Sequence, residues 1–190
     1  KVLQTRSVEL ATRYKVRLRV LSSFSNNLGI NNGTLVCSEG EIVENKVIAG
    51  VAFSRDEAKI TLTGIEDRPG IAALIFGQLS EQSVNVDMIV QNISENGLTD
   101  MTFSCPIDQV SRAKEALRKD NPKSVLKYAK LILDKEIAKI SIVGIGMKTH
   151  SGIAKMMFEA LARESINIMV ISTSEIKISV LIKRKYLELA

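Results

Sequence analysis

Between Gly64 and Phe76 the chain reads GIEDRPGIAALIF, which sets a carboxylate, a guanidinium, a proline and a glycine directly ahead of an apolar run with helical spacing. The chemistry this arrangement offers is anion capture. The first N–H groups of a helix lack intrahelical partners, and the positive end of the helix dipole favours a carboxylate. Pro69 has no N–H and a φ fixed near the helical value, so it is tolerated in a first helical turn, while Gly70 lets a ligand or another backbone come close. A free amino acid carries such a carboxylate, and its ammonium would need an acidic partner in turn. Asp67 in the loop and Asp87 at the start of a following strand are the candidates, with Asp87 favoured. The plainer alternative is a turn in which Asp67 caps the helix and Asp87 is a solvated strand-start residue.

Other chemistries find little support. There is no GxxxxGK[ST] run, and GIGMKT lacks the third glycine of GxGxxG, so neither kind of phosphate loop is present. Cys37 and Cys105 have no CxxC spacing and His150 is the single histidine, which argues against a metal site and a disulfide framework. Both cysteines read as plain thiols. No apolar run approaches the ~18 residues of a membrane span, and no signal pattern opens the chain, so the cytoplasm is the expected compartment. The net charge of +5 resides in residues 1–20, where six cations face Glu9 alone. A charge run of this kind is usually a solvated face. The start at Lys1 rather than Met suggests a processed or engineered beginning.

The elements that must position these residues follow from apolar spacing. Val2, Leu3, Val8, Leu10 and Ala11 have helical spacing, and VRLRVLS after them alternates as a strand does. The stretch NNLGINNGTLVCSEGEIVEN, rich in Asn and Gly, reads as a linker with a short strand at Thr34 to Cys37. VIAGVAF, Val47 to Phe53, is a further strand. An internal repeat then dominates: Gly70 to Val86 aligns without gaps to Gly152 to Ile168, and KITLTGI at Lys59 answers KISIVGI at Lys139. In each copy a strand ends in glycine and a helix follows, with Ile71, Leu74, Ile75 and Leu79 matched by Ile153, Met156, Met157 and Leu161 on one face. The first copy continues with VNVDMIVQNIS and TDMTFSC, joined through Asn96-Gly97 as a hairpin. An amphipathic helix through Val110, Ala113 and Leu117 and a strand in KSVLKYAK complete it. The order is βαββαβ, an α+β fold of two ferredoxin-like modules, each an antiparallel sheet with helices on one face. The second copy reaches βαββ and stops at RKYLELA. Val47 to Phe53 is expected to pair with the second module, so that the first is inserted within it.

Strand, glycine, DRPG, helix and NVDMIVQNIS together resemble an ACT domain, an amino-acid-sensing module of metabolic enzymes. Two in tandem, with KVLQTRSVELA, RVLSSF, TDMTFSCP and STSEIKISVLI, are similar to the C-terminal regulatory region of aspartate kinases. The resemblance implies that residues 1–24 are the end of the kinase domain, 25–46 a linker, 47–57 a strand of the second module, 58–133 the first ACT module and 134–190 the second. It implies an effector such as lysine or threonine, bound at Asp67, Arg68, Pro69, Gly70, Ile71, Ala72, Asp87, Gln91, Asn92 and Ser94, at an interface of two ACT modules, with a homodimer as the expected assembly. In the second module the matching positions are Met147, His150, Ser151, Gly152, Ile153 and Ser172. That loop is two residues longer, however, and Met169 replaces Asp87, so the two sites are not expected to bind equally. Ser151 would cap the helix and His150 is expected to be a capping or exposed residue. ATP and magnesium belong by resemblance to the full enzyme, most of whose catalytic domain this chain lacks; Lys1 to Glu9 resembles a segment bordering the nucleotide site. No catalytic residue, metal or cofactor is expected here, nor activity of the chain alone, and no membrane or nucleic-acid partner. A stand-alone ACT module serving a separate enzyme is the alternative. RNA binding, which shares the βαββαβ order, would need aromatics on the sheet, and only Phe103 lies on a central strand.

Overall fold

The computed structural model describes residues 3–24, 33–37, 48–93, 97–118, 126–144 and 152–190. The chain divides into two compact units, residues 1–45 and 46–190. In the first, helix α1 (Thr5–Arg13) precedes a two-stranded antiparallel sheet of β1 (Leu18–Val20) and β2 (Thr34–Val36), paired Leu18 to Val36 and Val20 to Thr34.

The second unit is built on one six-stranded antiparallel sheet. Its strands are β3 (Gly50–Glu66), β4 (Asp87–Ile93), β5 (Leu98–Pro106), β6 (Lys130–Val143), β7 (Val170–Thr173) and β8 (Lys177–Lys183), in the order β4-β5-β3-β6-β8-β7. The two short strands expected at Val47 to Phe53 and Lys59 to Thr63 are one strand, β3. Its polar middle, SRDEA, contains neither Gly nor Pro to end it, and the register shifts there instead, between Ser54 and Glu57 and again before Lys59. Gly50 to Ser54 pair with Val143 to Lys139, while Lys59 to Thr63 pair with Asp134 to Lys130. β6 likewise runs through both halves of the repeat. The strand expected in KSVLKYAK begins only at Lys130, and Lys123 to Val125 lie outside the described residues.

Helices α2 (Ile71–Glu81) and α3 (Val110–Ala116) cover the first half of the sheet, and α4 (Ile153–Arg163) covers the second. Apolar residues recur every fourth position on α2 (Ile71, Ile75, Leu79) and α4 (Ile153, Met157, Leu161), and all six are buried. The α2 and α3 side encloses Ile60, Leu62, Met101 and Phe103, with Phe76 edge-on to Phe103 at 5.7 Å. Phe103 is fully buried on this face and cannot stack a base. The opposite face of the sheet folds toward itself. Edge strands β4 and β7 come near one another without pairing, and Met88, Ile137, Val170 and Leu181 form a third core between them.

Candidate functional site

Asp67, Arg68, Pro69 and Gly70 form an exposed loop at the end of β3. The Asp67 N–H donates to the Gly97 carbonyl at 2.9 Å, tying the loop to the β4–β5 hairpin, and Arg68 reaches Glu66 at 3.6 Å. Gly70 is the N-cap of α2 with φ 86°, and Gly152 is the N-cap of α4 with φ 100°. Both glycines are there for the left-handed backbone, which a side chain rarely adopts. No other backbone comes close to either glycine, since a Cβ at either position would meet nothing within 4 Å. Pro69 stands before the N-cap rather than within the first helical turn. Neither helix carries a side-chain cap on its N-cap residue. Ile71 is buried in the core beneath the loop and Ala72 is half-buried beside it. The start of α2 is thus an uncapped helix end at an exposed loop.

Gln91 and Asn92 lie near the same end of the sheet, since Ile93 pairs with Thr99 and Glu66 with Leu98. Thr99 Oγ1 donates to the Asn92 carbonyl at 2.6 Å. Ser94 lies outside the described residues, as do Met147, His150 and Ser151. Of the second-half candidates, Gly152 is exposed, Ile153 is buried, and Ser172 is half-buried and paired with Ser179.

Asp87 is not with the loop. It opens β4 at the other end of the strand, six residues from Ile93, which at ~3.3 Å per residue is about 20 Å. There Asp87 already holds an ammonium: Lys139 Nζ on β6 donates to Asp87 Oδ2 at 2.8 Å and to Glu57 Oε1 on β3 at 2.5 Å. Met88 N–H, from a residue with φ 48°, donates to Asp87 Oδ1 at 2.9 Å. Burial works to raise the Asp87 carboxyl, but the Lys139 ammonium, the Met88 N–H and the more distant Lys177 outweigh it and hold it below the usual carboxylate range. Burial likewise works to lower Lys139, and its two carboxylate partners raise it on balance. Sequence spacing could not have joined these groups, because Glu57 and Asp87 are 82 and 52 residues from Lys139. Met169, the counterpart of Asp87, packs against the third core. Among the described residues no three His, Cys, Asp or Glu side chains are grouped to hold a metal ion, and no helix is long and apolar enough to cross a membrane.

A family model of the ACT domain matches residues 60–120 and 140–190. Aspartate kinase of Pseudomonas putida KT2440 is 50% identical over all of this chain, which covers 45% of that protein; aspartokinase of Helicobacter pylori 26695 is 48% identical, again over the whole chain and 46% of the relative. The chain therefore spans about half the length of these relatives. The crystal structure of the ligand-free regulatory subunit of aspartate kinase from Thermus thermophilus superposes with a TM-score of 0.70 at 40% identity, covering 76% of this chain and 93% of that one. Its α+β fold, its repeat and these matches agree: the chain belongs to the ACT-domain family, as the regulatory region of an aspartokinase.

Proposed function

We propose that residues 46–190 sense an end-product amino acid, lysine or threonine, and bias a kinase that phosphorylates L-aspartate with ATP. The observation that carries the reading is the N-terminus of α2, without a side-chain cap, beside the exposed Asp67–Gly70 loop: Ile71 N–H donates to the Arg68 carbonyl at 3.2 Å, and the next N–H groups of the first turn suit the effector's carboxylate. The residues in the binding role are Asp67, Arg68, Pro69, Gly70, Ile71 and Ala72, with Gln91, Asn92 and Ser94 alongside. Asp87 joins them from a second copy. β4 is an edge strand, and isologous antiparallel pairing of two β4 edges sets Asp87 of one copy against the loop end of the other. A homodimer thereby closes the distance that separates Asp87 from the loop in one chain. For Asp87 to receive the effector's ammonium, Lys139 must yield it.

The second-half set, Met147, His150, Ser151, Gly152, Ile153 and Ser172, is the weaker site, because Met169 offers no charge where Asp87 does. Residues 1–24 belong with the catalytic part, 25–46 link it to the sensor, and 47–57 serve the second module, with 58–133 and 134–190 as the two ACT modules. Nucleotide and magnesium chemistry lies with the catalytic part of the longer relatives, and no step here runs through either.

Calorimetric titration of the chain with lysine and threonine, alongside light scattering, tests the reading. One of the two should bind to a dimer. Asp67→Asn and Asp87→Asn should each weaken binding by about 30-fold or more, the equivalent of losing one partner of a charge pair at roughly 2–5 kcal/mol. If neither amino acid binds, the sensor reading fails; if binding occurs to a monomer, the shared site fails.

A further inference from the structure

The repeat makes Lys59 and Lys139 equivalent: each opens its strand motif, KITLTG and KISIVG. Lys139 is satisfied by Asp87 of the facing half, together with Glu57. The residue equivalent to Asp87 is Met169, so at Lys59 the facing half supplies a thioether where a carboxylate would complete the pattern. A crevice of ≈ 370 Å³ opens at that place, with Lys59, Asn92 and Thr102 as its polar lining and Val90, Met169 and Ile171 among its apolar lining. Lys59 is half-buried, and among the described residues its ammonium makes no hydrogen bond or ion pair, although its charge acts on the Asp134 carboxylate across the pairing. Asp134, its neighbour across the β3–β6 pairing, is bound at 2.8 Å by Lys183. A half-buried ammonium whose neighbouring carboxylate is held by another cation leaves a donor open to an anion, which a charge-assisted hydrogen bond would hold.

We propose that this crevice binds a small monocarboxylate with a branched apolar chain and no ammonium group, its carboxylate on Lys59 in the place that Asp87 fills for Lys139. The volume suits a ligand of that size. Its apolar chain would lie on Val90, Met169 and Ile171, while Asn92 and Thr102 offer hydrogen bonds to an oxygen on the second carbon. The lining contains no acidic side chain, so the ammonium of an amino acid would stand there without a counter-charge. Loop residues Asp67 to Ala72 do not line the crevice, which shares only Asn92 with the effector site proposed above.

The test is isothermal titration of the full chain with 4-methyl-2-oxopentanoate and with leucine. The oxo acid should bind at least tenfold tighter than leucine. Lys59→Met should weaken it tenfold or more, Lys59→Arg should keep it within about threefold, and Met169→Asp should abolish it by supplying the missing carboxylate from within. Ile171→Trp, at an exposed position that tolerates bulk, should block the crevice and decides the matter if another variant fails to fold. The response to lysine or threonine should be unchanged in Lys59→Met, so loss of one site is distinguishable from loss of the other. No binding of the oxo acid to the parent chain, equal binding of leucine, or unaltered affinity in both Lys59→Met and Ile171→Trp would overturn the proposal.

Discussion

Helices α2 and α4 begin alike, each after a left-handed glycine and each burying apolar residues at every fourth position, yet they cover their halves of the sheet differently. α2 shares its face with α3, whose Val110, Ala113 and Ala116 close the core over Phe103. Beside α4, Val51 and Phe53 remain 64% and 63% exposed, and an apolar groove of ≈ 390 Å³ runs between Val51, Ile142, Met157 and Leu189. The difference teaches that the same repeat can build a closed core in one half and an open one in the other. Tolerance to lost volume should then differ between them, because an open side lets neighbours collapse into a cavity.

The largest expected effect is in the closed half. Phe103→Ala should cost about 3–5 kcal/mol, whereas Met157→Ala, bordering the groove, should cost about 2 kcal/mol, the low end for such truncations. Urea unfolding of both variants measures the gap. Equal losses would mean that the groove does not relax and that the two cores are equivalent.

The second expected effect lies where the halves meet. Lys139→Met removes one ammonium from two carboxylates, of which Glu57 has only 10% of its side chain exposed and Asp87 has 49%. Breaking a fully buried pair costs about 3–5 kcal/mol, and the solvent that reaches Asp87 reduces this to roughly 1–3 kcal/mol. Asp87→Asn should cost less, since Glu57 still holds Lys139. A double-mutant cycle separates the coupling of Asp87 to Lys139 from the two individual losses. If Asp87→Asn costs more than Lys139→Met, Glu57 is not the principal partner.

Much of this half-and-half design was legible in the sequence. The every-fourth-residue spacing after DRPG and after HSG marked both helices, Asn96-Gly97 marked the hairpin, and the repeat marked two modules. The joining of strands was not legible: SRDEA looks like a break between two strands because its residues are polar, yet the register shifts there carry β3 through. The candidate site was legible as far as the loop, where composition and position in the chain coincide. The sequence marks Asp87 as a candidate partner for an ammonium but not the ammonium it holds, which comes from a residue 52 positions away, and the strand direction that puts it far from Asp67 appears only once β4, β5 and β3 are paired.

A smaller effect concerns pH. The folded state lowers the Asp87 carboxyl, so its contribution to stability is fully present above the unfolded value of ~3.9 and is lost as pH falls through the lower folded value. The folded state raises Lys139, so its contribution is present below ~10.4 and is lost as pH rises through the raised value. Between these limits the link is intact. The stability difference between the parent and Asp87→Asn should therefore be flat through neutral pH and shrink only below about pH 4. Urea midpoints from pH 3 to 7 would show this, and a difference already fading near pH 6 would assign the link to another group.

The smallest effect is the order in which the halves open. Cys105 sits fully buried in the closed core, and burial first, then the negative charges of Glu57 and Asp108, push its thiol up to about 11. In the closed core the thiol is protonated at neutral pH and out of reach of reagent, so labelling of Cys105 reports opening of the first half rather than surface reactivity. Amide exchange along α4 reports opening of the second half. With α3 closing one core and a groove beside the other, the α4 amides should exchange through a lower-energy opening than the one that exposes Cys105. Low concentrations of urea should accelerate Cys105 labelling more steeply than α4 exchange, because the first-half opening exposes more surface. Should both probes give the same opening free energy and the same urea dependence, the shared strands β3 and β6 bind the halves into one cooperative unit, and the contrast between a closed and an open core has no bearing on how the molecule opens.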